Sequence, residues 1–331
     1  MKKIIDSIKS LAKNMPPTTI MEVCGGHTNV IVQYGIRNLL PENIRLVSGP
    51  GCPVCVTSQH DIDCVIELAL NKVKIAAYGD VMRVPGTRMT LDDARGKGAI
   101  IKEIYSVTEV LEKDYVFFAI GFETTTPMTA YALSKGMSVY SSHKIMIPAM
   151  KALLSGDLKI DGFITPGHVS AILGSREWKL LNVPQVISGF KPEQVLTSIE
   201  KILQLISRRK KSVVNNYEEV VRPEGNRKAK KMMMEQLKLV DSDWRGIGNI
   251  PLSGLEVRKP KQNAKKQYNE ILKKVNTKEF IGCRCGDVLK GLLEPEDCPL
   301  YKEACTPATP KGACMVSAEG ACSITYKYGK I

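Results

Sequence analysis

The chain has 331 residues, 44% of them hydrophobic and 6% aromatic, with a formal net charge of +13. That length supports about two or three domains with real cores, and an aliphatic-rich, aromatic-poor composition points away from a β-sandwich and toward an α/β protein. The positive charge concentrates in Arg208, Arg209, Lys210 and Lys211 and again in Arg227, Lys228, Lys230 and Lys231. No aromatics interleave with these charges to stack on bases, so a solvated face is expected there and nucleic-acid binding is not.

The first predicted element is an amphipathic helix over residues 1–13. Ile4, Ile5, Ile8, Leu11 and Ala12 share one face, while Lys2, Lys3, Asp6 and Lys9 interrupt any apolar run, unlike a signal peptide. Nothing in the chain approaches the length of a membrane span. A cytoplasmic location is expected, where clustered cysteines mean metal or catalysis more often than structural disulfides.

Strands then alternate with helices, and each strand ends in an unusual loop. Strand 18–23 runs into Cys24-Gly25-Gly26-His27-Thr28, with a helix predicted over 29–40. Strand 44–47 meets Ser48-Gly49-Pro50-Gly51-Cys52-Pro53-Val54-Cys55, followed by a helix over 61–71. Strand 74–78 closes at Gly79-Asp80. Strand 115–120 ends at Gly121-Phe122-Glu123-Thr124-Thr125-Thr126-Pro127, with a helix from Met128. Strand 162–165 ends at Pro166-Gly167-His168-Val169-Ser170, and strand 185–188 at Gly189-Phe190. This alternation predicts βαβ units and a largely parallel sheet, whose ligands bind beyond the carboxyl ends of the strands.

From residue 208 the chain turns polar and basic, with helical patches at 229–239 and 264–275 and a turn at 246–251. The expected architecture is α/β. Two βαβ-type domains, 18–114 and 115–215, carry mainly parallel sheets. A small irregular or helical domain spans 216–331, with helix 1–17 packed on it.

Three sets of cysteines carry the chemistry. Cys24 and His27 place a thiol and an imidazole three residues apart after a strand, and helical N–H groups from Thr28 onward are expected to favour the thiolate. Cys52 and Cys55 form a CxxC pair, suited either to two ligands of one metal or to an exchangeable disulfide. The tail holds six more: Cys283, Cys285, Cys298, Cys305, Cys314 and Cys322. It lacks the paired CxxC knuckles of a zinc ribbon, whereas iron–sulfur clusters accept irregular spacing, and four ligands would leave two thiols as a redox pair. Cys64 reads as core. Glu123 beside its threonines orients a polar ligand or caps the following helix. Asp80, Arg83 and Arg88 bind an anion or make a salt-bridged loop. No GxxxxGK[ST] or spaced GxGxxG supports a nucleotide site.

Glu22-Val23-Cys24-Gly25-Gly26-His27-Thr28, the Ser48 to Thr57 segment, Gly121 to Thr125, Pro166 to Ser170, Trp244 to Pro251 and Cys314 to Cys322 together resemble the HypD-type maturation proteins of nickel–iron hydrogenases, over nearly the whole chain. The resemblance implies a scaffold for assembling an iron centre with one carbonyl and two cyanide ligands. It implies two partners, a small HypC-type chaperone and a HypE-type cyanide donor. It further implies that Cys24 holds the iron transiently, with His27 beside it, and that Cys52 and Cys55 serve iron binding or dithiol chemistry. A tail similar to ferredoxin:thioredoxin reductase implies a 4Fe–4S cluster on Cys283, Cys298, Cys305 and Cys322 and a redox pair of Cys285 and Cys314. Two positions depart from the family pattern. Ser58 stands where proline is usual and is expected to loosen that loop, and Asn29 stands where a second histidine often occurs. The rival readings are a stand-alone 4Fe–4S thiol–disulfide oxidoreductase and a zinc-stabilised basic module on nucleic acid.

Overall fold

The computed structural model describes residues 1–111, 114–278 and 280–329. Eleven strands are described, in two sheets. β1 (Thr18–Glu22), β2 (Ile44–Ser48), β7 (Gly162–Pro166), β8 (Gln185–Ser188) and β9 (Val213–Asn216) form an all-parallel sheet in the order β2-β1-β7-β8-β9. β3 (Ile75–Tyr78), β4 (Ile101–Ile104), β5 (Val116–Gly121), β6 (Ser138–Lys144), β10 (Leu237–Trp244) and β11 (Gly248–Val257) form the second, in the order β10-β11-β6-β5-β3-β4. Its first four strands are parallel, and β11 and β10 add an antiparallel edge.

Central strands are apolar without alternation. All six residues of β5 and all five of β7 are buried, as a parallel sheet covered on both faces requires. Neighbouring residues nevertheless serve different cores, because successive side chains point to opposite faces. In the first sheet Ile20, Leu46, Ile164 and Val186 pack outward against helices, while Met21, Val47, Phe163 and Ile187 join an inner core. In the second sheet Phe117, Ala119 and Val139 lie in an outer core, while Phe118, Ile120 and Tyr140 join the same inner one. The two sheets therefore share one central core, and their carboxyl ends open toward a common space.

Sheet membership does not follow the chain order on which the 18–114 and 115–215 division rests. β1 and β2 hydrogen-bond with β7 to β9, and the segment carrying β3 to β6 is inserted between them. The N-terminal helix, Lys2–Ala12, buries Ile8 and Ala12 against the helix Pro192–Ser207 of the first sheet rather than on the tail. Its apolar face matches that of the longer helix, where Val195, Leu196, Ile199 and Ile202 are buried. The third difference lies at 237–257. The helix predicted over 229–239 ends at Gln236, and of the turn predicted at 246–251 only its start falls in the 245–247 connection of a hairpin, because β11 begins at Gly248.

Candidate functional site

A cleft of about 420 Å³ opens at the carboxyl ends of both sheets. That volume is typical of a small-molecule site. Val23 and Cys24 after β1, Gly51, Pro53 and Val54 after β2 and Pro166, His168 and Val169 at the end of β7 form one wall. Asp80 after β3, Tyr105 and Ser106 after β4, and Phe122, Thr124 and Thr125 after β5 form the other. The loops noted in the sequence thus meet around one space.

Cys24 is half-buried and is the N-cap of the helix Gly25–Gln33, which begins four residues earlier than the sequence pattern predicts. Its backbone N–H donates to Glu22 Oε2 at 2.9 Å, and Thr28 Oγ donates to the other oxygen of that carboxylate at 2.5 Å. The loop after β2 comes close enough for Gly25 N–H to donate to Gly51 O at 3.3 Å. A Cβ at Gly51 would collide with the Cys24 backbone, so this approach needs glycine. Burial pushes the Cys24 thiol up to about 12, and the charges of Glu319 and Glu22 act in the same direction. Bonds from the Gly26 and His27 N–H groups oppose the shift and lose. The expected helix effect is present, but it does not make a thiolate; desolvation outweighs it. Without a cation beside it, Cys24 is a neutral thiol.

His27 does not reach the cleft. Its ring is wholly buried, donates Nε2–H to the carbonyls of Gly189 (3.1 Å) and Ser188 (3.3 Å), and stacks on Phe190. Burial lowers its pKa to about 4, so it is a neutral packing element that fastens the Cys24 helix to β8. The imidazole lining the cleft is His168, which also packs on Phe190 with ring centroids 4.2 Å apart. Glu319 does not stand out in the sequence as a site residue. This residue lines the cleft from the tail, and its backbone packs on Gly25 so closely that a Cβ there would not fit. Desolvation and the charge of Asp80 raise its carboxyl pKa. The signal available was its place in the Cys314 to Cys322 motif.

Cys52 and Cys55 are buried and joined as a disulfide, with Cα atoms 5.3 Å apart. Cys52 caps the short helix Pro53–Val56, accepting the Cys55 N–H at 3.2 Å. Ser58 does not loosen the loop that follows. Its hydroxyl accepts the Asp61 N–H at 3.1 Å and caps the helix Gln59–Leu70, a role that proline cannot fill. Asp61 itself is buried among Tyr140, Ser142, Lys144 and Lys265. Burial alone would raise its pKa, but the two lysine charges and the two hydroxyl bonds outweigh it and hold the carboxyl well below the usual range. Cys64 is core, as expected, within the same helix.

The six tail cysteines all line one pocket, with Val288, Leu300, Tyr301 and Met315 as its apolar walls. Cys314 is within side-chain hydrogen-bonding contact of both Cys285 and Cys322. Cys305 accepts the Lys311 N–H at 3.3 Å. Burial, followed by the neighbouring Cys285, pushes Cys283 up to about 12. Among the described residues no three His, Cys, Asp or Glu side chains are arranged to hold a single metal ion. A tetrahedral zinc shell packs its sulfurs within about 4 Å of one another, whereas a four-iron cluster takes one thiolate per iron and spreads them more widely. Six thiols line one apolar pocket, one of them bonded to a backbone N–H, and such a set could hold a cluster of the second kind.

The hairpin β10–β11 joins the two centres. Trp244 is fully buried, forms a bridge with Thr57 and stacks on Phe122. Arg245 donates from its backbone to Val56 O at 3.0 Å, and from its side chain to Thr57 O at 2.8 Å and Gln59 Oε1 at 2.7 Å. Gly246, at a φ of +72°, lies flat against Gly286, next to Cys285. The helix Ala313–Val316, carrying Cys314, packs directly on the helix Pro53–Val56. Cys52, Cys55, Cys285 and Cys314 thereby belong to one buried cluster.

The remaining expectations resolve simply. Arg83 donates to Pro307 O at 2.6 Å, and the Arg208 to Lys211 run is exposed and follows the C-terminus of the helix Pro192–Ser207. No described helix is long and apolar enough to cross a membrane.

Residues 1–329 match the family model described as "HypD: Hydrogenase formation hypA family". The chain is 40% identical to a putative hydrogenase expression/formation protein of Methanocaldococcus jannaschii, covering 100% of this chain and 97% of the relative. It is 39% identical to a hydrogenase maturation factor HypD of Azotobacter vinelandii, over 94% of this chain and 89% of that one. A hydrogenase maturation factor of Bradyrhizobium diazoefficiens is 36% identical over 98% and 93% of the two chains.

Proposed function

The chain belongs to the HypD family of hydrogenase maturation factors, and from that premise we propose that its cleft is where the iron centre with two cyanides and one carbonyl is assembled as cargo. The observation that carries the reading is the convergence of strand-end loops from both sheets around one thiol, Cys24, whose backbone abuts Gly51, next in the chain to the Cys52–Cys55 disulfide. Low-spin iron with strong-field diatomic ligands favours soft thiolate anchors. Iron arriving at Cys24 supplies the cation that the thiol lacks, and the proton leaves to the solvent side of the half-buried cleft. Cyanide comes from a HypE-type donor and the product departs with a HypC-type chaperone, both meeting the open face of the cleft.

We assign Cys283, Cys298, Cys305 and Cys322 as the residues that hold a 4Fe–4S cluster, which supplies single electrons when bound. Cys285 and Cys314, in contact with each other, are the dithiol. A thiolate of that pair attacks the Cys52–Cys55 disulfide and forms a mixed disulfide, which its partner thiol then resolves. Cys285 and Cys314 end oxidised, Cys52 and Cys55 end as two thiols, and two protons move with the two electrons.

The test is anaerobic purification of the chain with its small chaperone, followed by infrared spectroscopy and iron and sulfide analysis. The reading predicts one carbonyl and two cyanide bands, together with about four irons and four sulfides of cluster. A colourless protein containing zinc, or turnover of protein disulfides with no diatomic bands, would overturn it.

A further inference from the structure

The Gly121 to Thr126 turn forms part of the cleft wall, and its members divide sharply by what they touch. Gly121 sits at a φ of +147°, where a Cβ would strike the Thr125 hydroxyl. Phe122 stacks on Trp244. Glu123 is fully buried and accepts the Met146 N–H at 3.1 Å, capping the next helix on rather than its own. Thr125 Oγ donates to the carbonyls of Phe122 (3.3 Å) and Ile120 (3.4 Å). Thr126 Oγ donates to Phe122 O at 2.8 Å and contacts His143, which also bonds Thr129 at 2.8 Å and the Gly121 carbonyl at 3.2 Å. Five residues of six are thus committed to holding the turn rigid.

Thr124 is different. It lines the cleft, is exposed to it, and has no side-chain hydrogen bond among the described residues. We propose that Thr124 is the cyanide-recognition residue: its hydroxyl donates a hydrogen bond to the nitrogen of one iron-bound cyanide. The proposal rests on the cleft being the assembly site. Cyanide binds iron through carbon and keeps a negatively polarised nitrogen lone pair, a strong acceptor, whereas the oxygen of bound carbonyl is a weak one. The Thr124 hydroxyl, presented from a rigid turn in a cleft that it shares with apolar Val23, Val54, Ile120 and Val169 and with the polar rings of Tyr78, Tyr105 and His168, offers the cyanide nitrogen a donor that the carbonyl oxygen has little use for. Preorganisation makes this effective, because the turn has nothing to reorder when the ligand arrives.

The test uses the full chain co-purified with its small chaperone, as wild type, Thr124→Val and Thr124→Ser, read by infrared spectroscopy. Valine preserves the shape and removes the donor at an exposed position where folding does not depend on it. The expected result is a shift of one cyanide band in Thr124→Val with the carbonyl band in place, and recovery of the wild-type position in Thr124→Ser. The centre should also dissociate on the order of tenfold faster from the valine variant, the size of one hydrogen bond to a charged acceptor. Cyanide bands unmoved by valine, or all three bands moving together, would overturn the assignment of Thr124 while leaving the cleft as the assembly site. Wild-type chain with no diatomic bands would overturn both.

Discussion

The two centres are built by opposite means. The cleft is positioned by register: six strand ends, each fixed by a parallel ladder, deliver their loops to one place, and the single thiol there is set among carboxylates and hydroxyls. The tail has almost no core of its own. Its separate buried cluster comprises Tyr301, Cys305 and Met315, packed with Cys298, Leu300 and Cys322, so cysteines supply much of what holds it. The difference teaches that the cleft takes its shape from the ladders of two sheets, whereas the tail pocket draws much of its packing from its own cysteines. A structural metal or cluster contributes folding free energy directly where side-chain burial is scarce.

Removing one cluster ligand should sharpen that contrast most. Cys305→Ala is expected to abolish the visible absorption of the cluster and its iron and sulfide content. Hydrogen exchange across 283–322 should rise toward that of an unfolded segment, while β5 and β7 stay protected. Retention of a full cluster would reassign the ligand set, and equal loss of protection in both regions would end the distinction between them.

Trp244 tests the link between the regions. It is fully buried against Phe122 and donates Nε1–H to Ser253 at 2.8 Å. Trp244→Ala should cost about 3–5 kcal/mol of stability, measured by chemical denaturation. It should also slow exchange between Cys285/Cys314 and Cys52–Cys55, as followed by thiol alkylation, while leaving the cluster content unchanged. Unchanged exchange would show that the hairpin is not the bridge.

A smaller effect belongs to the cleft wall alone. Burial raises the pKa of Glu123 from 4.5 to about 7, and hydrogen bonds from backbone N–H groups only partly offset it. Between those values the folded state keeps a proton that the unfolded state has released, so stability falls as pH rises from about 4.5 to 7 and levels off above. Glu123→Gln should flatten that slope, worth on the order of 3 kcal/mol, in melts taken across the window. An unchanged slope would show that another group carries it.

Much of this was legible in the sequence. The strand-end loops showed where the ligand face would be, because glycine-rich turns after apolar β runs leave few other folds. The six tail cysteines, close together in the chain, do line one pocket. What escaped did so for physical reasons. β10, Leu237–Trp244, is an edge strand with alternating exposed polar residues, and without a buried face of its own its sequence resembles the helix before it. His27 stands next to Cys24 in sequence, but a helical start turns its ring toward β8 and leaves the cleft to His168. The state of the Cys24 thiol depends on desolvation and on Glu319, nearly three hundred residues away, and spacing along the chain carries no such information.

The central claim is that Cys24 holds the iron cargo, and the most direct measurement is the infrared spectrum of Cys24→Ala co-purified with the small chaperone under anaerobic conditions. The account predicts that the carbonyl and cyanide bands vanish while the cluster absorption of the tail persists at wild-type strength. Diatomic bands at wild-type intensity in that variant would contradict it.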